Sequence, residues 1–469
     1  LKASLLQLEC HFTWTLMEQD VDLDDLEETI VNQIKFFTES NLKNYNHLSY
    51  IYHLKNSNEE ALRNLQKAEE VVQKHHPDEI ARRSLVIWGN YAWIYYHMKQ
   101  YEKAQTYVSK VENSCKKLLN TAHGKICLPE VYAEQGWALL RFGGKYFEKA
   151  KNCFENALKD EPNNPDFNAG YATALYRLEG LAWRHSEETS SAFEALQRAV
   201  ELNPKDTCLM ALLALKLQDL KRVDEGERYI ERAMPKTPDL PYFLRYAAKF
   251  YRRKEELWKA VKILKKALEL TPKSSFLHHQ LGICYRGIVF KWKKTKNAPQ
   301  DQVEEFIQLA IFHFKIVIGQ RTTFIGAHTD LAGMYALDRR YEEAEKIFQE
   351  LFHRNNLSCV EKQNLYLSYG NFQRFNMKSE SKAIKYYIEA LKIEEDSYAR
   401  NKCSEAVQSL LRQKIERGLG DATVFGTLGL IHNLNGKKQE AIECYEKAIA
   451  LDSNNEEYLN ALWDLRLSI

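Results

Sequence analysis

Glycine and proline are scarce in this chain, at 19 and 10 of 469 residues. That excludes a loop-rich all-β protein and any low-complexity architecture. An excess of one charge is missing as well. Lys and Arg number 66 against 64 Asp and Glu, a net of +2, so no global field draws the molecule to a polyanion. Any polyanion site must be a local concentration of charge. No uninterrupted apolar run approaches the ~18 residues that a membrane span needs. The nine cysteines are odd in number and scattered, with no C-x-x-C, which argues against a disulfide framework and against structural zinc. The segment Leu1 to Leu6 meets Glu9 and His11 before a secretory core could form, so the expectation is a soluble protein of the reducing cytoplasm. Catalytic signatures are missing too: there is no H-E-x-x-H, no G-x-S-x-G, no G-x-x-x-x-G-K-[ST] and no G-x-G-x-x-G after a strand. Gly143-Gly144-Lys145 has the look of a phosphate-loop fragment but lies between two helical segments, where it reads as a turn. The fourteen histidines show no ligand spacing on a shared face. The chain reads as a non-enzyme.

What is present is aromatic and periodic. Hydrophobic residues make up 45% of the chain, with 26 Tyr and 21 Phe. The clearest repeat runs Phe425, Leu428, Gly429, His432, then Ala441, Tyr445, Ala448. Small residues at Gly429 and Ala441 let two antiparallel helices approach, and Leu428 and Tyr445 fill the space between them. This resembles the tetratricopeptide repeat, a helix–turn–helix of ~34 residues that buries its face only by stacking on neighbours. The pattern returns at Trp88, Tyr91, Ala92 and Tyr95 before Ala104 and Val108, and at Leu244, Ala248 and Tyr251 before Ala260, Leu264 and Ala267. It returns again at Leu331, Ala332 and Tyr335 before Ala344 and Phe348. The expected fold is all-α, a tetratricopeptide-repeat helical solenoid, and the aromatic excess is packing between its helices. The first forty residues do not match the repeat and read as a capping helix pair. The units group into an N-terminal array with its cap over 1–238, central units over 239–400, and a C-terminal helix with a last repeat over 401–469.

One helix carries more than packing. In Tyr242 to Lys254, at ~100° per residue, Leu244, Ala247, Ala248 and Tyr251 fall on one side. Tyr242, Arg245, Tyr246, Lys249, Arg252 and Arg253 fall on the other, and no acidic residue interrupts them. Cations mixed with tyrosines suit phosphate contact and base stacking. Other first helices add Trp137 and Arg141, four apart on one face, then Arg177, and His279 with Arg286 seven residues on. Near the start, Asp25, Thr29 and Gln33 form a polar stripe leading to Phe37. A carboxylate beside phosphate-binding cations is coherent only if a divalent metal bridges them.

Four strings then resemble a known family: Cys10 to Trp14, Trp88 to His97, Gly136 to Leu140, and Arg245 to Lys254. They are similar to the interferon-induced proteins with tetratricopeptide repeats over essentially the whole chain, and the ending Leu465 to Ile469 is most similar to the family's fifth member. The resemblance implies an antiviral effector of innate immunity whose superhelix encloses a narrow basic tunnel. That tunnel would accept the 5′ end of single-stranded RNA, carrying a triphosphate or an unmethylated cap, without regard to sequence. By position, Thr29, Gln33, Arg141, Tyr242, Arg245, Tyr246 and Arg252 would contact phosphates and first nucleotides. Arg177, His279 and Gln280 would hold the following RNA, and Arg286 is grouped with them by its spacing from His279. Trp137 and Phe37 would lie deeper, near a cap pocket. Several positions depart from the fifth member. Asp25 stands where a glutamate helps to hold a metal, Arg141 replaces a lysine, Phe147 replaces a tyrosine and loses a hydroxyl, and Phe37 replaces a leucine. No cofactor is implied beyond a divalent cation such as Mg2+ bridging the triphosphate.

Two classes of function follow. One is a sensor that sequesters RNA with a 5′-triphosphate, with a block on translation of unmethylated-cap transcripts as its variant. The other is a peptide-binding scaffold, the commoner use of this repeat. For the sensor, triphosphate is expected above unmethylated cap and both above monophosphate, because three phosphates offer more acceptors and Phe37 crowds a cap base. DNA duplex is too wide to be a partner, and other family members are candidate protein partners.

Overall fold

The computed structural model describes residues 1–36, 41–119, 128–181, 190–295 and 299–468. Among them every regular element is helical, and they group into two compact units, Leu1–Cys284 and Tyr285–Ile469.

The first unit holds α1 (Lys2–Leu5), α2 (Leu23–Phe36), α3 (Leu42–Leu54), α4 (Asn58–His75), α5 (Ile80–Arg83), α6 (Leu85–His97), α7 (Tyr101–Leu119) and α8 (Pro129–Arg141). It continues with α9 (Phe147–Asp160), α10 (Pro165–Leu181), α11 (Ser191–Leu202), α12 (Thr207–Asp219), α13 (Val223–Ala233), α14 (Pro241–Arg253) and α15 (Leu257–Leu270). Helix α16 (Ser275–Lys294) starts in this unit and carries the chain into the second. There follow α17 (Gln300–Gln320), α18 (Ile325–Leu337), α19 (Tyr341–Phe352), α20 (Cys359–Phe375), α21 (Glu380–Leu391), α22 (Tyr398–Glu416), α23 (Ala422–Leu434), α24 (Lys438–Leu451) and α25 (Glu456–Leu467).

The two helices of a repeat have different surroundings, and their sequences say why. A first helix is sandwiched between neighbours, so α12 buries an unbroken run from Leu209 to Leu217. A second helix faces water on one side, and α13 buries only Gly226, Ile230 and Ala233, a single stripe. Many turns between them use one device. Asn56, Lys99, Lys221, Glu255, Arg339, Lys378 and Gly436 each follow a first helix in the left-handed region, with φ between 56 and 73°. Helix α8 ends differently, at Gly143 with φ 110°, followed by a 3-10 turn over Gly144–Tyr146. The glycine-lysine run is thus the expected turn. Closest approach occurs around Phe154, which is fully buried between Gly136 and Gly170. A Cβ at Gly170 would stand 2.1 Å from its ring.

The N-terminal segment differs from the expected helix pair. After the single turn of α1 the chain runs through turns before α2. The Thr13 hydroxyl donates to Leu8 O at 2.6 Å and lies 2.9 Å from Cys10 O, which competes with helix hydrogen bonding. Leu8, Cys10, Trp14 and Leu16 are all buried, so the segment is a fitted plug with no single apolar face. Asn90 fixes it by accepting from His11 N at 3.2 Å.

Candidate functional site

The basic helix folds as its periodicity predicts. Leu244, Ala247, Ala248 and Tyr251 are buried in α14, and Phe243, Tyr246 and Phe250 join them. What remains is a narrow strip: Tyr242, Arg245, Lys249, Arg252 and Arg253. Tyr242 and Arg245 of this strip line a cleft together with Thr29, Asn32 and Gln33 of α2 and Phe276 of α16. Helix α2 is held there from 245 residues away in sequence, where the Lys273 backbone N–H donates to Glu28 Oε2 at 3.1 Å.

One guanidinium, Arg245, lines this cleft, and two more, Arg141 and Arg177, hold the Gln33 and Tyr242 side chains that line it. Arg245 lies over Phe276 with its Cζ 3.9 Å from the ring centroid, and 5.6 Å from the rings of both Tyr242 and Tyr246. Its Nε is buried with no hydrogen-bond partner among the described residues. Arg141, at the end of α8, donates to Gln33 Oε1 at 2.8 Å and to Asn44 Oδ1 at 2.7 Å, and meets His47 Nδ1 at 3.3 Å. Arg177 on α10 donates to the Leu140 carbonyl and to the Tyr242 hydroxyl, and stacks 5.5 Å from the Phe147 ring. Among the described residues no carboxylate pairs with any of the three. Asp166 and Glu134 act on Arg141 from a distance, but none of the three half-buried cations has a direct ionic partner among the described residues, which leaves room for an anion.

The titrations agree. Burial pulls the Arg141 guanidinium down to about 10, with Arg177 nearby adding to the effect and Tyr242 opposing it. For Arg177 burial also disfavours the charge, but Tyr242 and Tyr246 outweigh it and the net direction is up. Burial would raise the Tyr246 hydroxyl, yet Arg177 and Arg245 hold it below the usual phenol range. Lys249 donates to the Tyr176 hydroxyl at 3.3 Å. Burial, then Arg253 and Arg252, bring its ammonium down to about 8.

Models of the tetratricopeptide repeat match residues 85–115, 134–207 and 422–455. The chain is 43% identical over 461 residues to the antiviral innate immune response effector IFIT1 of Macaca fascicularis, covering 97% of this chain and 96% of that protein. The chain belongs to the interferon-induced proteins with tetratricopeptide repeats. Two solved structures of a family member are similar throughout. One is a monomeric IFIT1 mutant with Gppp-AAAA (TM-score 0.86, 42% identity, 96% of this chain and 99% of that one). The other is the human IFIT1 dimer with PPP-AAAA (TM-score 0.83, 42% identity, 97% and 100%). The likeness of the chain's ending to a fifth member stays an expectation from the sequence.

In this family member the remaining expected residues fall in different places. Thr29 and Gln33 line the cleft. Trp137 is half-buried, its indole N–H donating to Asp166 Oδ2 at 3.2 Å and its face covered by Lys43. Gln280 is buried on α16, where His279 is half-buried beside it. Arg252 stands on the α14 strip, half-buried. Arg286 falls in the second unit, ion-paired with Asp330. Phe37 lies outside the described residues. Asp25 sits in the first turn of α2, where its backbone N–H and that of Asp24 donate to Asp22 Oδ1 at 3.1 and 3.0 Å. Burial raises the nearby Glu28 carboxyl, and Asp25 adds to it by like-charge repulsion. Among the described residues no group of three or more His, Cys, Asp or Glu could hold a metal ion. Nor is any described helix long and apolar enough to cross a membrane.

Several site residues escaped the sequence reading. Asn44 and His47 of α3 hold Arg141, Phe276 stacks on Arg245, and Lys43 covers Trp137. Lys249 was visible on the basic strip, but nothing in the sequence marked its burial.

Proposed function

We propose that this family member binds the 5′ end of single-stranded RNA and sequesters it, as an antiviral effector acting in the cytoplasm by binding and not by catalysis. The observation that carries the reading is the set of three guanidiniums, Arg245 on the cleft wall and Arg141 and Arg177 bonded to Gln33 and Tyr242 of that wall, none of them ion-paired among the described residues. A triphosphate supplies the charge they lack. Arg245, Tyr242 and Gln33 offer donors to phosphate oxygens, and Lys249 and Arg252 continue the cationic strip toward the following nucleotides. None of these groups is a base-edge reader in a groove, so sequence is not selected. The printed ligands of the solved relatives, PPP-AAAA and Gppp-AAAA, support the same class of ligand.

A divalent cation fits as an accessory. Asp25 with phosphate oxygens is the kind of donor set Mg2+ takes, one or two carboxylates completed by the substrate. The repulsion between Asp25 and Glu28 is what such a cation would relieve.

The test compares triphosphate, unmethylated-cap, monophosphate and hydroxyl ends on one RNA by filter binding. The expected order is triphosphate, then cap, then both others well behind, with affinity falling steeply in salt at about 0.7 log per log salt for each phosphate neutralised. Equal affinity for all ends, or none of that salt dependence, would instead favour a peptide scaffold. Assembly has its own observation. On α25, Leu459, Trp463 and Leu467 are 43, 67 and 73% exposed at four-residue spacing, while Tyr458, Leu462 and Leu465 pack inward. Together with the dimeric state named for the solved relative, this supports self-association through α25. Trp463→Glu should then give a smaller species in light scattering at micromolar protein.

A further inference from the structure

Arg141 is backed by a buried polar cluster away from the cleft wall. It is built from α3 and the N-terminal plug, and its centre is two buried imidazoles, His47 and His11. Their rings meet edge to face with centroids 5.1 Å apart, and Phe142, directly after α8, stacks on His47 at 5.7 Å. A guanidinium only donates, so the 3.3 Å contact of Arg141 Nη1 with His47 Nδ1 puts the lone pair on Nδ1 and the proton on Nε2. The same tautomer follows for His11. Asn90 Oδ1 accepts from the His11 backbone N–H at 3.2 Å, so Asn90 Nδ2 faces His11 Nδ1, also at 3.2 Å, and donates to it. Burial first, then Arg141, holds both rings below the usual histidine range, His11 at about 3, so both are neutral acceptors at pH 7.

Each ring then carries an Nε2–H, and both Nε2 atoms are buried with no partner among the described residues. A buried unpaired donor is costly, and turning a ring to satisfy it would release Arg141 in one case and Asn90 in the other. The bond that is kept is the one that ends on Arg141. His47 and Asn44, one turn apart on α3, both hold that guanidinium, and Gln33 of the cleft wall accepts from it at 2.8 Å. Three of its five N–H groups are thereby fixed, which leaves two for a ligand. We infer that His47, braced by His11 of the N-terminal plug, is a positioning residue for the 5′ phosphates. It fixes the Arg141 guanidinium against Gln33, so a segment outside the cleft wall sets phosphate affinity. The inference rests on the 5′-end reading given above.

The experiment uses the full chain and His47→Phe, which keeps an aromatic ring beside Phe142 and His11 and loses the Nδ1 acceptor. Dissociation constants are measured for triphosphate and hydroxyl ends on the same oligonucleotide. Triphosphate affinity should fall about tenfold, as for one lost hydrogen bond to a charged group, with hydroxyl-end affinity nearly unchanged. His47→Asn places an oxygen acceptor close to where Nδ1 was and should recover most of the loss. In an Arg141→Gln background His47→Phe should cost nothing further, because the group it positions is gone. His11→Phe should shift the ratio of the two affinities in the same direction and by less. A ratio unchanged in His47→Phe, or an equal loss with and without Arg141, overturns the inference. Should the phenylalanine variants melt early, the wild-type protein decides. Histidine 15N NMR at pH 7 should show Nδ1 bare and Nε2 protonated on both rings, and an Nδ1–H on His47 overturns the inference. If the wild-type protein fails to distinguish triphosphate from hydroxyl ends, the 5′-end reading itself falls, and that result is visible before any variant is made.

Discussion

On the proposed 5′-end reading, Lys249 makes RNA affinity depend on pH in a direction and size that can be worked out. In the free protein its ammonium titrates at about 8, lowered by burial and by Arg253 and Arg252. Phosphates beside it would return it toward the usual lysine value near 10.5. The protonated form is the one that binds, so affinity is full below about 7 and is lost as pH rises through 8. Between pH 7 and pH 9 the free lysine loses its proton almost completely while the bound one keeps it. Linkage then gives a loss of about 1.3 kcal/mol, or about tenfold in Kd. Phosphate monoester ionisation, near pH 6, is already complete over this range and does not mask the effect. The assay is triphosphate-RNA binding by fluorescence anisotropy at constant ionic strength from pH 6.5 to 9. Lys249→Arg stays charged throughout, so its profile should be flat with affinity near wild type at pH 7. Lys249→Gln should also be flat but weak. A wild-type slope that survives in Lys249→Arg would refute the assignment.

Arg245→Ala and Arg252→Ala should each cost on the order of 1.5–3 kcal/mol in triphosphate-RNA affinity, the range for charged hydrogen bonds, with little change in the melting curve. Their side chains lie off the Leu244–Ala248–Tyr251 packing face, and unchanged affinity would remove them from the site. Gly170→Ala drives a methyl into Phe154 and should lower stability by about 1–3 kcal/mol in a urea titration. An unmoved midpoint would show that the helices can part there. Glu134 accepts from Asn46 at 2.8 Å, and burial raises its carboxyl to about 7. Its charge therefore destabilises the fold above pH 7 and not below 4.5, so Glu134→Gln should add about 1–3 kcal/mol at pH 8 and progressively less toward pH 5. A gain independent of pH would contradict this.

The repeat was legible because its signals are local. Gly429 does lie against Tyr445, and the split of α14 into a buried face and a basic strip follows from counting along one helix. The polar stripe Thr29–Gln33 was legible for the same reason, but not what it faces. Helix α2 meets residues 240 to 277 because small rotations accumulate through the intervening repeats, and no window of sequence contains that sum. The same limit hid Lys43 over Trp137. Side-chain chemistry also misled where packing decides. Arg400 is a cation whose type alone would put it in water, yet it is buried and spends its guanidinium on the carbonyls of Leu391, Ile393 and Leu434. The N-terminal plug was missed because its buried residues follow no period.

The closure of α2 onto Lys273 gives the protein two separate thermal limits. Each repeat leans only on its neighbours, so most helices can persist when one distant contact is lost. The cleft cannot, because Gln33 and Arg245 belong to opposite ends of a stretch of more than two hundred residues joined there by few bonds. On heating, the grip on RNA should fail while the circular-dichroism signal of the helices is still intact. Half-life of the cleft and half-life of the fold are then different quantities in this molecule, and any ligand that bridges α2 to α14 would bring them together.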